Sequence, residues 1–280
     1  SRCSSTGIVG GTAGNLGGLV GYNKGTINES WTNVDVLGSS GDSIGGLVGH
    51  NIGNINNAYS HGNVDGDDDV GGLVGKNSQG GLIQHSYAIG NCSGNNRVGG
   101  LAGSNRDASV FYPFSTGAVE YTGLNPGGLI GYTENTSLEG GFWHNHENNP
   151  DDCYSGGNTN CNAETNEEYF FNHCNSPMKS WDFLTSPVWG VNSTYPCLYW
   201  QDNCSQADNC STPTDEDDGS GGGGSDSCSD ECSSSGSNES ECVNSTTIKS
   251  RECGDYDSDS CLEWSDWNNS SCGEGENCSA

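Results

Sequence analysis

Residues 45–66 read GGLVGHNIGNINNAYSHGNVDG, and this stretch decides the fold. Its opening GGLVG recurs at 17–21 and 71–75, as GGLAG at 99–103 and as GGLIG at 127–131, at intervals of 28, 26, 28 and 28 residues. Between these motifs a second register repeats. Ile27, Ile55, Ile83 and Val110 each stand four residues before an aromatic: Trp31, Tyr59, Tyr87 and Phe114. Five residues beyond each aromatic come Val36, Val64, Cys92 and Val119. Four residues after each motif leucine stand Asn23, Asn51, Asn77 and Asn105.

A fixed period of this length marks a repeat architecture. The segments are short, rich in β-branched and aromatic residues, and cut by Gly and Asn, which favours strands joined by tight turns over helix. Several short strands per period predict a β-solenoid of about five coils, stacked at roughly 4.8 Å. Aligned Ile, Leu, Val and aromatic positions are expected to form interior ladders. The aligned Asn residues should sit in a turn and bond amide to amide from coil to coil. The glycines allow positive φ or close backbone approach at the corners. Cys92 takes a valine's place, so it should be a buried free thiol behaving as a small hydrophobe.

The 280 residues carry 8 Lys+Arg against 37 Asp+Glu, a formal charge of -29. So few cations exclude the basic footprint that nucleic acid or an anionic membrane needs. No run of about 18 apolar residues suits a membrane span, and with no signal peptide visible the chain is expected to begin at a mature terminus. The charge is uneven: residues 1–141 hold 11 acids and 5 bases, residues 142–200 hold 7 and 1, and residues 201–280 hold 19 and 2. Four segments follow: a solenoid over 1–141, a cysteine-containing cap over 142–204, an acidic Gly/Ser linker over 205–227, and a small disulfide-rich domain over 228–280.

Fifteen cysteines without matching zinc spacings imply a disulfide framework in an oxidising compartment. With Cys92 set aside, the candidates for pairing are Cys3, Cys153, Cys161, Cys174, Cys197, Cys204, Cys210, Cys228, Cys232, Cys242, Cys253, Cys261, Cys272 and Cys278. Their connectivity is open at this point. N-glycosylation sequons begin at Asn28, Asn91, Asn135, Asn192, Asn203, Asn209, Asn238, Asn244, Asn268, Asn269 and Asn277, which points to a glycoprotein of the cell surface.

The repeat resembles the GLUG-motif family, whose pattern GGLVGxNxGxIxNSYxxGxVxG residues 45–66 nearly spell. The resemblance covers roughly residues 7–141. Gly141-Phe142-Trp143, Trp181-Asp182-Phe183, Val188-Trp189 and Tyr195-Pro196-Cys197-Leu198-Tyr199-Trp200 are similar to that family's closing region, to which cysteines are added here. The resemblance implies a bacterial or archaeal surface protein of adhesin or filament type. In the tail, Cys228-Ser-Asp-Glu-Cys232, Lys249-Ser-Arg251-Glu-Cys253, Trp264-Ser-Asp-Trp267 and Cys272-Gly-Glu-Gly275 are similar to pieces of thrombospondin type-1 repeats, where Trp and Arg interleave. The order is shifted and only Arg251 and Lys249 supply cations, so a generic disulfide knot stays open beside it.

Candidate chemistry is sparse. His144 and His146, with Glu147 or Asp151, form a His-x-His cluster able to hold a metal, against which stands a polar turn leaving the last coil. Asp67 and Asp69, with Asp65 and Asp68, are candidates for calcium, against a solvated loop. No HExxH or GxSxG element occurs, and Arg97 and Arg106 are the one close basic pair on the repeat, so no enzyme is expected. The expected function is a structural subunit of an extracellular filament, with copies of itself as partners and contacts through the solenoid ends and the tail. The alternatives are an adhesin binding cell-surface glycans or proteins, and a polysaccharide-active β-helix enzyme.

Overall fold

The computed structural model describes residues 2–207, except 13, 148, 176–177, 184–186, 192–194 and 202–203. In the tail it describes the strands Asn238–Asn244, Thr247–Gly254, Glu263–Trp264 and Asn268–Ser271. The chain divides into two units, Ser1–Cys210 and Ser211–Ala280. Among the described residues there is no α-helix, and the first unit is a β-solenoid of about five coils built from parallel strands.

Each coil contributes to four sheets. The broad face begins with Ser4–Gly11, which pairs over its whole length with Trp31–Gly38. Its rows put Ser4, Trp31, Tyr59, Tyr87, Phe114, Phe142 and Asn162 in one column. A second column of the same face runs Val9, Val36, Val64, Cys92, Val119. The other three faces stack Leu16, Ile44, Val70, Val98, then Val20, Val48, Val74, Ala102, Ile130, then Ile27, Ile55, Ile83, Val110, Leu138. The 26- and 28-residue intervals bring like residues into register because a fixed coil length returns each position to the same face.

The interior ladders are the aliphatic ones. Leu47, Leu73, Leu101 and Leu129 are fully buried with the isoleucine column, while Val36, Val64, Cys92 and Val119 join Ile44, Val70 and Val98 in a second cluster. The aromatic column corrects the expectation that it too lies inside. Alternate residues of a strand face opposite ways, and the residues after the aromatics, Thr32, Ser60, Ala88 and Ser115, are the ones turned inward. The hydroxyls of Thr32 and Ser115 donate to the carbonyls of Gly46 (3.0 Å) and Gly128 (3.1 Å). Trp31, Tyr59, Tyr87, Phe114 and Phe142 therefore stack on the outer surface of the broad face, with successive ring centroids 4.5–5.9 Å apart.

The corners rest on two devices. Gly45 does not adopt positive φ. A Cβ there would run into the Val48 carbonyl and the Gly75 amide of the next coil, so the glycine serves close approach. The left-handed turns fall instead on ordinary residues at fixed places: Asn15, Ser43, Asp69, Arg97 and Asn125 at one corner, and Glu29, Asn57, His85 and Tyr112 at another, with φ between 47° and 67°.

Residues 142–207 do two separate things. Trp143 occupies the interior column that Ser60, Ala88 and Ser115 fill in earlier coils and plugs the end of the tube. Cys153, bonded to Cys161, lies over Leu129, whose amide donates to the Cys153 carbonyl (3.0 Å). The remainder is not an end cap. It runs along the outside, and Phe170, Met178, Trp181, Phe183, Trp189 and Leu198 bury the aromatic column. The expected linker also begins later than residue 205: Ser205 exchanges backbone hydrogen bonds with Val191 (2.9 and 3.0 Å) and Ala207 is buried.

In the second unit, Thr247–Gly254 is central to an antiparallel sheet, pairing with Asn238–Asn244, Glu263–Trp264 and Asn268–Ser271.

Candidate functional site: the two ends and the outer surface of the solenoid

The asparagine ladder fixes the geometry of the coil surfaces. The Asn23 amide donates to Asn51 Oδ1 (2.7 Å), Asn51 to Asn77 (2.8 Å) and Asn77 to Asn105 (2.8 Å). The Asn23 and Asn51 oxygens also serve their own turns, accepting from the Gly25 and Gly53 amides (3.1 and 3.2 Å). Asn51, Asn77 and Asn105 are fully buried, so every amide group removed from water is repaid by a hydrogen bond. In the next coil Thr133 stands in the column and ends the ladder.

The two ends of the tube are chemically unlike. At the first end, the strand Ser4–Gly11 is the outermost row, and among the described residues its outer edge has no hydrogen-bonded neighbour. Val9, Leu16, Leu19 and Val20 are half-buried, although the same columns are fully buried two coils on, and Ile8, 72% exposed, stands in the outward-facing column of Asp35. Residues 2–28 contain Arg2 and Lys24 and no carboxylate. Arg2 pairs with Glu29 at the following corner (2.6 Å) and lies over the Trp200 ring. At the second end, the strand Cys161–Glu164 is the last row of the broad face, again with an unpaired outer edge among the described residues. Residues 145–164 carry Glu147, Asp151, Asp152 and Glu164 with no Lys or Arg. Burial holds the Glu164 carboxyl above its ordinary value of 4.5.

Asp69 is buried and accepts from Arg97 Nε at 2.5 Å, while Asp68 takes Arg97 Nη2 (3.1 Å) and the Asn96 amide (2.8 Å). The Asp69 carboxylate, one of the calcium candidates, is thus engaged by a guanidinium from the next coil. His144 and His146 stack with centroids 4.1 Å apart. His146 Nε2 meets the Thr116 carbonyl at 2.6 Å, which places the proton on that nitrogen. The pair lines an open hollow of about 540 Å³ with Glu147, Asn149 and Asp151. Among the described residues no three His, Cys, Asp or Glu groups converge on a metal position.

The cysteines divide as follows. Cys153–Cys161 and Cys197–Cys204 are bridged, and Cys174 is disulfide-bonded. Cys92 is buried and free, its thiol pushed up to about 12 by burial. Cys3, expected among the paired cysteines, is instead free and exposed on the outermost row, where its neighbour in the next coil is Ser30. Cys242 and Cys253 lie on the tail strands Asn238–Asn244 and Thr247–Gly254. Cys210, Cys228, Cys232, Cys261, Cys272 and Cys278 lie outside the described residues.

Of the sequons, Asn91 and Asn135 are exposed on the coils and Asn28 is half-buried. Asn238, Asn244, Asn268 and Asn269 lie on tail strands, and Asn192, Asn203, Asn209 and Asn277 fall outside the described residues. Sequence reasoning placed residues 1–141 in the solenoid without delimiting its first strand, Ser4–Gly11, which carries no glycine motif, although Val9 falls in the valine column. It missed the plug: Trp143 was legible only as part of an aromatic pair, while its interior column holds small residues elsewhere. No family model matches the chain, and no curated protein or solved structure matches it.

Proposed function

We propose that the chain is a structural subunit of an extracellular surface filament, a homopolymer in which solenoids stack through their ends. The observation that carries this reading is the pair of outer edges, Ser4–Gly11 and Cys161–Glu164, that are unpaired among the described residues, on one continuous sheet whose side is already covered. Open edges of a parallel stack template further strands unless they are blunted. The disulfides support an oxidising compartment, and among the described residues no helix is long and apolar enough to cross a membrane. The GLUG-type resemblance of residues 7–141 fits this role, and the proposal assigns the chain no catalysis. Sedimentation velocity across a concentration series, read with negative-stain images, tests it: species growing in open-ended steps are expected, and a single-chain species at every concentration contradicts it.

A second reading has its own support. Tyr22 and Tyr121 are 40% and 43% exposed on the coil flanks, as an adhesin contacting glycans would need. Glycan-array binding by chains that never polymerise would favour it.

A further inference from the structure

We propose that the partner at each end is the opposite end of a second copy: the Ser4–Gly11 row of one chain adds to the Cys161–Glu164 row of the next, head to tail. This rests on the filament reading and gives it a polarity. Three observations converge on it.

The first is register. Ser4 and Asn162 stand at the two extremes of the same column of the broad face. Both strands run parallel to every row between them, so the first row of a second copy continues the sheet with no change of direction. The second is charge. The first end carries Lys24 and Arg2, the latter ion-paired with Glu29, so residues 2–29 are net positive by one charge, whereas residues 145–164 carry four carboxylates and no Lys or Arg. Stacking like ends would bring the four carboxylates against four more, which is repulsive, while unlike ends attract. The third is the interior. Among the described residues the tube is plugged at one end only, by Trp143 and the Cys153–Cys161 bridge. At the other end Leu16, Leu19 and Val20 are half-buried and need a lid, which the plugged end of a neighbour supplies.

An interface between unlike patches does not close on itself, so a non-cyclic repeat extends without limit. Seven rows on the aromatic column, at about 4.8 Å each, set an axial repeat of about 34 Å per chain.

The test places Ser4→Cys and Asn162→Cys in one chain with Cys3→Ser, and treats it with a short thiol-specific bridging reagent. A ladder of covalent multimers is expected from the double variant and none from either substitution alone, and the ladder should shorten as salt is raised from about 50 to 500 mM. Filaments in which Ser4→Cys alone bridges into dimers would overturn the polarity while leaving the filament reading standing. Filaments that never bridge in the double variant would do the same. Monomers throughout, in the unmodified chain as well, would overturn both. Monomers in which the alternate Ser4–Gly11 amides that point away from Trp31–Gly38 also resist hydrogen exchange would show that the chain covers this edge itself, and would overturn the proposal as well.

Discussion

At the scale of single residues the most exacting positions are the buried amides. Asn77 gives its amide to Asn105 and its oxygen to Asn51, and all three are fully buried. Asn77→Ala leaves a donor on one side and an acceptor on the other without their partner, at about 1–3 kcal/mol for each unsatisfied group. A loss of about 2–4 kcal/mol in urea unfolding is expected. Asn23→Ala should cost less, because only one other ladder amide, Asn51, loses a neighbour there, together with the backbone amide of the exposed Gly25. Equal costs would mean that the ladder adds nothing beyond each turn. The two free thiols make a second prediction. Cys3 should react with a maleimide in the native chain, whereas Cys92, buried and with its thiol pushed up to about 12, should react only on unfolding. Mass spectrometry of the labelled chain reads this directly, and native labelling at Cys92 would contradict the packing of the valine column. The ladder and the buried thiol were both legible, since the Asn positions recur at a fixed offset and Cys92 replaces a valine. The partner of Asp69 was not, because Arg97 belongs to another coil and only the register brings the two together.

At the scale of elements, the segment 165–207 and the aromatic column are one object. Trp189 is fully buried, 4.6 Å from Trp181 and 5.7 Å from Phe114 between ring centroids. Trp189→Ala should cost about 3–5 kcal/mol of the cover's stability. Limited proteolysis should then cut within 165–207 while the coils stay intact; collapse of the whole unit would contradict a separable cover. The same seam responds to pH. His85 stacks on Tyr112 at 5.3 Å and meets Trp189 edge-on at 6.4 Å. Burial lowers its pKa from 6.5, with Asp182 opposing, and burial also lowers His61 and His50. As pH falls through 6.5 the unfolded chain takes up these protons before the folded one, so this stability is present above pH 6.5 and lost below it. Melting between pH 8 and 5 should fall less steeply in His85→Asn than in the unmodified chain, and parallel profiles would contradict the assignment. Element positions were largely readable from the 28-residue period. The side to which the aromatics turn was not, since alternation within a two-residue strand leaves no pattern to read, and the covering residues lie between 28 (Phe142 to Phe170) and 141 (Tyr59 to Trp200) positions further on.

At the scale of the whole molecule the charge of -29 hides a polarity. The first row is free of carboxylates and residues 145–164 are free of Lys and Arg, the asymmetry on which the proposed head-to-tail contact rests. Composition alone gave only the average, and the asymmetry becomes meaningful once the coils place residues 2–28 and 145–164 at opposite ends. The most direct test is electron microscopy of the native material with averaged diffraction from the images. Polar filaments are expected, with an axial spacing of about 4.8 Å from the strands and about 34 Å from the chains. Dispersed particles of single-chain mass, or filaments whose strands do not stack along the axis, would contradict the account.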